Sequence, residues 1–114
     1  MKRFSSIKKN SDFQLVYKTG KSYANKQLVM YVIHKEAGET RIGISVSKKV
    51  GNSVVRHHVT RLIRESFRLN KTNIETGLDI VVVARPAAKE SDFKKIESAF
   101  MHLCGLHNIY LESK

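Results

Sequence analysis

Residues 41–68, RIGISVSKKVGNSVVRHHVTRLIRESFR, read as an apolar strand, a Lys-Lys-Val-Gly-Asn turn and a long helix with two unlike faces. At 100° per residue, Val55, Val59, Leu62, Ile63, Ser66 and Leu69 fall in one sector, which predicts the core side. His57, Arg61, Arg64 and Arg68 line up opposite. Arginines at offsets of three and four repel one another by about a few tenths of a kcal/mol per pair. A helix that keeps such a stripe calls for an anionic partner.

Working outward, residues 27–34, QLVMYVIH, predict a strand rich in β-branched and aromatic side chains. Alternation puts Leu28, Met30, Val32 and His34 on one face and Val29, Tyr31 and Ile33 on the other. Residues 36–40 contain Gly38 and read as a hairpin turn into the strand 41–47. One face of that strand carries Gly43, Ser45 and Ser47, which leaves room for a close approach. Residues 21–25 predict a further short strand. Ser11-Asp12-Phe13-Gln14 fits a capping box with Ser11 as N-cap, opening a helix to about residue 18 that Gly20 closes. Phe13, Val16 and Tyr17 share one side of it. Val16 reads as core; Tyr17 is evenly balanced, because its hydroxyl wants water or a polar partner.

The helix 52–69 is capped by Asn52 or Ser53. After a polar connection, LDIVVVA at residues 78–84 predicts a strand buried on both faces, ended by Arg85-Pro86. Residues 91–107 predict a second amphipathic helix, with Phe93, Ile96, Phe100, Leu103 and His107 on its apolar side, followed by a frayed end. The order is α-β-β-β-α-β-α. It predicts an α/β (α+β) fold, a two-layer sandwich with a small mixed sheet, in which the helix 52–69 joins strands that can be parallel neighbours.

Composition narrows the function. A chain of 114 residues is one domain, 1–114, and 41% hydrophobic residues are enough for a core. The formal charge is +11, and residues 1–68 hold 15 of the 21 Lys/Arg but only 4 of the 10 Asp/Glu. The remainder is balanced, so the excess reads as a binding surface rather than general basicity. No apolar run approaches a membrane span, and the N-terminal residues show no secretory h-region. The single cysteine, Cys104, suits a reducing, cytoplasmic setting and lies at helical spacing among apolar residues. His57 and His58 are adjacent and point about 100° apart on a helix, poorly placed to share a metal. No GxGxxG, Walker or paired-carboxylate pattern is present, so a protein-borne active site is not expected.

The pair Lys48-Lys49 at a helix start, beside Gly51, suits phosphates. With Arg61, Arg64 and Arg68 it favours nucleic acid over a merely solvated face. RNA is favoured over DNA because Phe13, Tyr17 and Tyr31, beside Ser45 and Ser47, can form a stacking floor for unpaired bases. The two short consecutive helices of a helix-turn-helix reader are missing.

Ser45-Val46-Ser47-Lys48-Lys49-Val50-Gly51-Asn52, then Val54-Val55-Arg56 and Arg61-Leu62-Ile63-Arg64-Glu65, resembles the protein component of bacterial ribonuclease P. The likeness extends to residues 11–17, to Ala24-Asn25-Lys26-Gln27 and to residues 79–85. It implies a left-handed βαβ crossover at the basic helix, against the usual preference. It also implies partnership with a catalytic RNA subunit and precursor tRNA, in removal of the 5′ leader. Hydrolysis would lie on the RNA, with Mg²⁺ bound mainly there; no cofactor, protein partner or membrane is implied for the chain itself. By this resemblance Lys48, Lys49, Asn52, Arg56, His57, Arg61, Arg64 and Arg68 contact the RNA subunit, while Phe13, Tyr17, Tyr31 and Arg56 hold the leader. The family's helix usually reads Arg-Asn-Arg with a further basic residue two positions on, where this chain has Arg56-His57-His58 and Thr60. His57 can still donate to a phosphate and regains a charge when protonated, so assembly is expected to strengthen in mild acid. The alternatives are a general RNA-binding or chaperone module without a processing role, and an arginine face that meets an acidic protein.

Overall fold

The computed structural model describes residues 5–111. In chain order the elements are β1 (Ser5–Ser6), α1 (Asn10–Thr19), β2 (Lys21–Ala24), β3 (Leu28–His34), β4 (Arg41–Ser45), α2 (Ser53–Asn70), β5 (Leu78–Ala84) and α3 (Phe93–Leu106). The strands form one mixed sheet in the order β1-β4-β5-β3-β2. The pairs β1/β4 and β4/β5 are parallel, while β3/β5 and β2/β3 are antiparallel. The strand β1 is an addition to the expected order. Two residues carry no period, so nothing local announces it.

The alternation in β3 is as expected, and both faces find cover. Leu28, Met30 and Val32 join Ile42, Ile80 and Val82 in the larger core, beneath α2 and α3. Tyr31 and Ile33 face the other way, with Val81, toward Ile7, Val16 and the aromatics of α1. The layer of α2 and α3 on the sheet makes the two-layer sandwich, and α1 covers part of the second face. The strand β5 is buried along nearly its whole length because both layers meet on it.

Several boundaries move for identifiable reasons. The cap of α1 is Lys9, not Ser11: its carbonyl accepts the Asp12 and Phe13 N–H groups at 3.0 and 3.2 Å, and no side chain caps the helix. In α2 the apolar sector is rotated toward Phe67, which is fully buried against Phe100 at 6.4 Å between ring centroids. Leu69, expected in the core, is 49% exposed. Helix α3 begins at Phe93, since residues 86–90 form a 3₁₀ turn and the Asp92 carboxylate caps the Lys95 N–H at 2.9 Å. The end expected to fray is docked as far as Leu111: Ile109 is fully buried, and Tyr110 bridges Ile74 in antiparallel fashion. The last three residues of that expectation, 112–114, lie outside the described ones.

Candidate RNA interface

The basic segment is held by its own chain geometry. After β4, the Ser47 carbonyl accepts the Val50 N–H at 3.0 Å, and buried Val50 pins the turn while Lys48 and Lys49 stay exposed. A Cβ on Gly51 would come within 2.8 Å of the Val55 side chain, so the close approach at this glycine is internal. Of the two possible caps the structure uses Asn52, whose Oδ1 accepts the Val55 N–H at 3.0 Å.

Along α2, Val59, Ile63, Ser66 and Phe67 are buried, and His57, His58, Arg61, Arg64 and Arg68 are exposed. Arg68 is not a free cation. It forms a two-pronged pair with Glu65, the Nε donating at 2.9 Å, and the bond holds the Glu65 carboxyl below its ordinary pKa. Among the described residues no ion pair involves Arg61 or Arg64. Arg56 is half-buried and its Nε donates to the Gly51 carbonyl at 3.2 Å, which turns it back along the helix start. The Thr60 hydroxyl is spent on the Arg56 carbonyl at 2.8 Å.

Strand register builds the second half of the interface. Gly43, Val81 and Tyr31 lie in one row across β4, β5 and β3, and Ser45, Val83 and Val29 lie in the next row on the same face. Helix α1 covers the first row. A Cβ on Gly43 would sit 2.8 Å from the Phe13 ring, so the space left by this small residue is filled by Phe13 itself. Tyr17 meets Tyr31 edge-on at 5.1 Å, and Phe13 lies 6.3 Å from Tyr17. All three aromatics are half-buried, which joins the two readings of Tyr17 rather than choosing between them.

The second row, Ser45, Val83 and Val29, is half-exposed and makes a small-residue, apolar floor beside the aromatics. Ser45 ends β4, three residues before Lys48, so this floor opens toward the basic turn. Val29 and Val83 had no sequence signal beyond their alternation. The Arg56 hydrogen bond to the Gly51 carbonyl ties its guanidinium to the start of α2.

At the far end of the same face sits an ion network absent from the sequence reading. Arg41 donates to both oxygens of buried Asp79, at 2.9 and 2.7 Å, and reaches Asp12 of α1 at 3.5 Å; Lys35 lies 3.0 Å from Asp79. Burial pushes the Asp79 pKa up, but these bonds outweigh it and hold the carboxyl below its ordinary value.

This combination of elements recurs among known proteins. The family model described as Ribonuclease P matches residues 1–107. The chain belongs to the ribonuclease P protein family. It is 57% identical over 109 residues to the "Ribonuclease P protein component" of Lachnoclostridium phytofermentans, covering 96% of this chain and 94% of that one. With the protein of the same description from Alkaliphilus metalliredigens it shares 53% over 103 residues, covering 90% and 93%. Among solved structures, the Staphylococcus aureus RNase P protein superposes with a TM-score of 0.86 at 41% identity, over 95% of this chain and 99% of that one. The Thermotoga maritima RNase P protein gives 0.80 at 32% identity, over 89% and 96%. The mixed sheet with its three helices is therefore the fold of this ribonuclease P family, and membership links the chain to an endoribonuclease complex.

Among the described residues no group of three or more His, Cys, Asp or Glu comes together. Asp12 and Asp79, brought near one another by the fold, both face Arg41, which already supplies their positive charge. No helix among the described residues is long and apolar enough to cross a membrane. Cys104 is buried, and burial pushes its thiol up to about 12, so it is a small core residue rather than a nucleophile.

Proposed function

We propose that the chain is the protein subunit of a cytoplasmic ribonuclease P ribonucleoprotein that matures the 5′ ends of tRNA. It binds the catalytic RNA subunit through Lys48, Lys49, Asn52, Arg56, His57, Arg61, Arg64 and Arg68. It holds the single-stranded leader of precursor tRNA against Phe13, Tyr17 and Tyr31, with Arg56 at the edge. Hydrolysis of the phosphodiester is assigned to the RNA subunit and the Mg²⁺ it binds.

The observation that carries this reading is the adjacency of two unlike surfaces. Exposed Lys48 and Lys49, with Arg61 and Arg64 unpaired among the described residues, suit a phosphate backbone. The half-exposed floor of Ser45, Val83 and Val29 beside three aromatics suits unstacked bases. The basic surface would hold the RNA subunit while the adjacent floor holds the leader, a strand that mature tRNA lacks.

The test is reconstitution with a ribonuclease P RNA transcript at low Mg²⁺, assayed by 5′ processing of precursor tRNA. Stimulation is expected. The double variant Arg61→Ala/Arg64→Ala should weaken RNA-subunit binding and lower the log–log salt slope by about 1.4–1.8, two phosphate contacts' worth. Tyr31→Ala should weaken precursor binding and spare mature tRNA. Absence of stimulation, or cleavage without added RNA, refutes the proposal.

A further inference from the structure

The segment Asn25-Lys26-Gln27 belongs to neither surface above, yet the fold builds a third one around it. Although residues 69–114 are neutral overall, their lysines are not evenly spread in space. The β2–β3 turn and the outer side of α3 enclose a shallow groove of about 760 Å³, lined by Asn25, Lys26, Gln27, Lys94, Lys95 and His102. Lys26, Lys94 and Lys95 are exposed, and none joins an ion pair among the described residues. One acid, Asp92, also lines the groove, and Glu97 of the same helix lies outside it. The Asp92 carboxylate caps the Lys95 N–H, which also closes the helix N-terminus as a site, and Glu97 accepts from Asn70 at 2.9 Å.

The groove's walls are fixed to one another through Asn25. Its Oδ1 accepts the Leu28 N–H at 3.0 Å, and its Nδ2 donates to the Ala99 carbonyl at 3.0 Å. Those two backbone partners leave no freedom to exchange the amide's oxygen and nitrogen. The same Nδ2 lies 3.1 Å from the His102 Nδ1. In neutral His102 that ring nitrogen is therefore the acceptor, and Nε2 at the other end of the ring carries the proton. The turn thus sets the His102 ring beside three exposed ammonium groups.

We infer that this groove is a second RNA-backbone site, in which Lys26, Lys94 and Lys95 neutralise phosphates and His102 Nε2–H donates to one of their oxygens. A shallow, open, cationic surface suits a passing phosphodiester strand; it lacks the enclosure of a small-molecule site. Its residues come from α3 and the β2–β3 turn and none from α2, so it grips a segment of the RNA subunit other than the one on the arginine stripe. The inference rests on the RNA-partner reading given under the proposed function.

Two measurements on the protein–RNA complex test it. The triple variant Lys26→Ala/Lys94→Ala/Lys95→Ala changes only exposed side chains and should keep the thermal midpoint. Its log–log salt slope for binding the ribonuclease P RNA transcript should fall by about 2–3. An unchanged slope overturns the inference. Because Cys104 is buried with a raised pKa, a photocrosslinker can be placed selectively at Ser98→Cys in the groove or at exposed Val54→Cys at the start of α2. Each should crosslink the transcript, at different nucleotides. Crosslinking from Val54→Cys but not Ser98→Cys, or at the same nucleotides from both, overturns the groove alone. Crosslinking from neither overturns both it and the reading beneath it.

Discussion

Asp79 is the residue with the greatest stake in this fold. It interrupts an otherwise apolar strand, and its carboxylate is tolerated only because Arg41 at the start of β4 and Lys35 just after β3 reach it. Arg41→Met should destabilise the protein by about 2–3 kcal/mol in urea unfolding, since it leaves a buried carboxylate under-paired. The pairing holds the Asp79 pKa below its unfolded value, so its stabilisation is present above the unfolded carboxylate range and is lost as pH falls through the folded value. Asp79→Asn should accordingly flatten the acid limb of the stability curve.

His107 acts in a different window. Burial lowers its pKa, opposed by the ring's 2.9 Å bond to the Met30 carbonyl, with Lys21 and His34 adding repulsion. Below about pH 6.5 the unfolded chain takes up this proton more readily than the folded one, so stability should decline as pH falls through that region. His107→Gln, measured by urea midpoint against pH, should remove that decline. Neither role is legible in the sequence. Asp79 lies 38 residues from Arg41, and His107 lies 77 from Met30. A partner at that range exists only once the topology does.

Among the elements, those with a period were legible and those without one were not. The alternation of β3, the apolar run of β5 and the two faces of α2 follow from side-chain spacing alone. Caps are different, because several residues at a helix start can serve and the geometry selects one. Asn52 rather than Ser53 caps α2, so Asn52→Ala should cost about 1 kcal/mol of stability while Ser53→Ala costs little. At the cleft, small residues on β4 announced a close approach but not its source. The structure gives Phe13 over Gly43. Gly43→Val should therefore push α1 off the sheet, destabilise by about 1–3 kcal/mol and disturb the aromatic cluster together with it. Retained near-ultraviolet circular dichroism in that variant would show that α1 accommodates the added atoms. The basic stripe was legible as a row but not as a set of free charges. Arg68 is paired with Glu65 and Arg56 bends back to Gly51, which leaves Arg61, Arg64 and the two lysines as the exposed centre of that surface.

For the whole molecule, charge and connectivity act together. A formal charge of +11 on 114 residues repels itself, and binding a polyanion relieves that repulsion. The helix that carries the stripe is not an appendage. Helix α2 leaves the end of β4 and returns into β5, and those two strands are hydrogen-bonded neighbours near the middle of the sheet. Its inner face shares the larger core with α3. Such a helix has no independent way to open, so its buried amides should exchange with deuterium only as fast as β5 does, and faster exchange confined to α2 would contradict this. The free energy gained on its outer face when RNA binds is then spread through the entire cooperative unit, as RT ln(1 + [L]/Kd) of added resistance to unfolding. A chain wired in this way would be shielded from proteolysis as long as it stays assembled, so the supply of RNA would set how much of the protein persists.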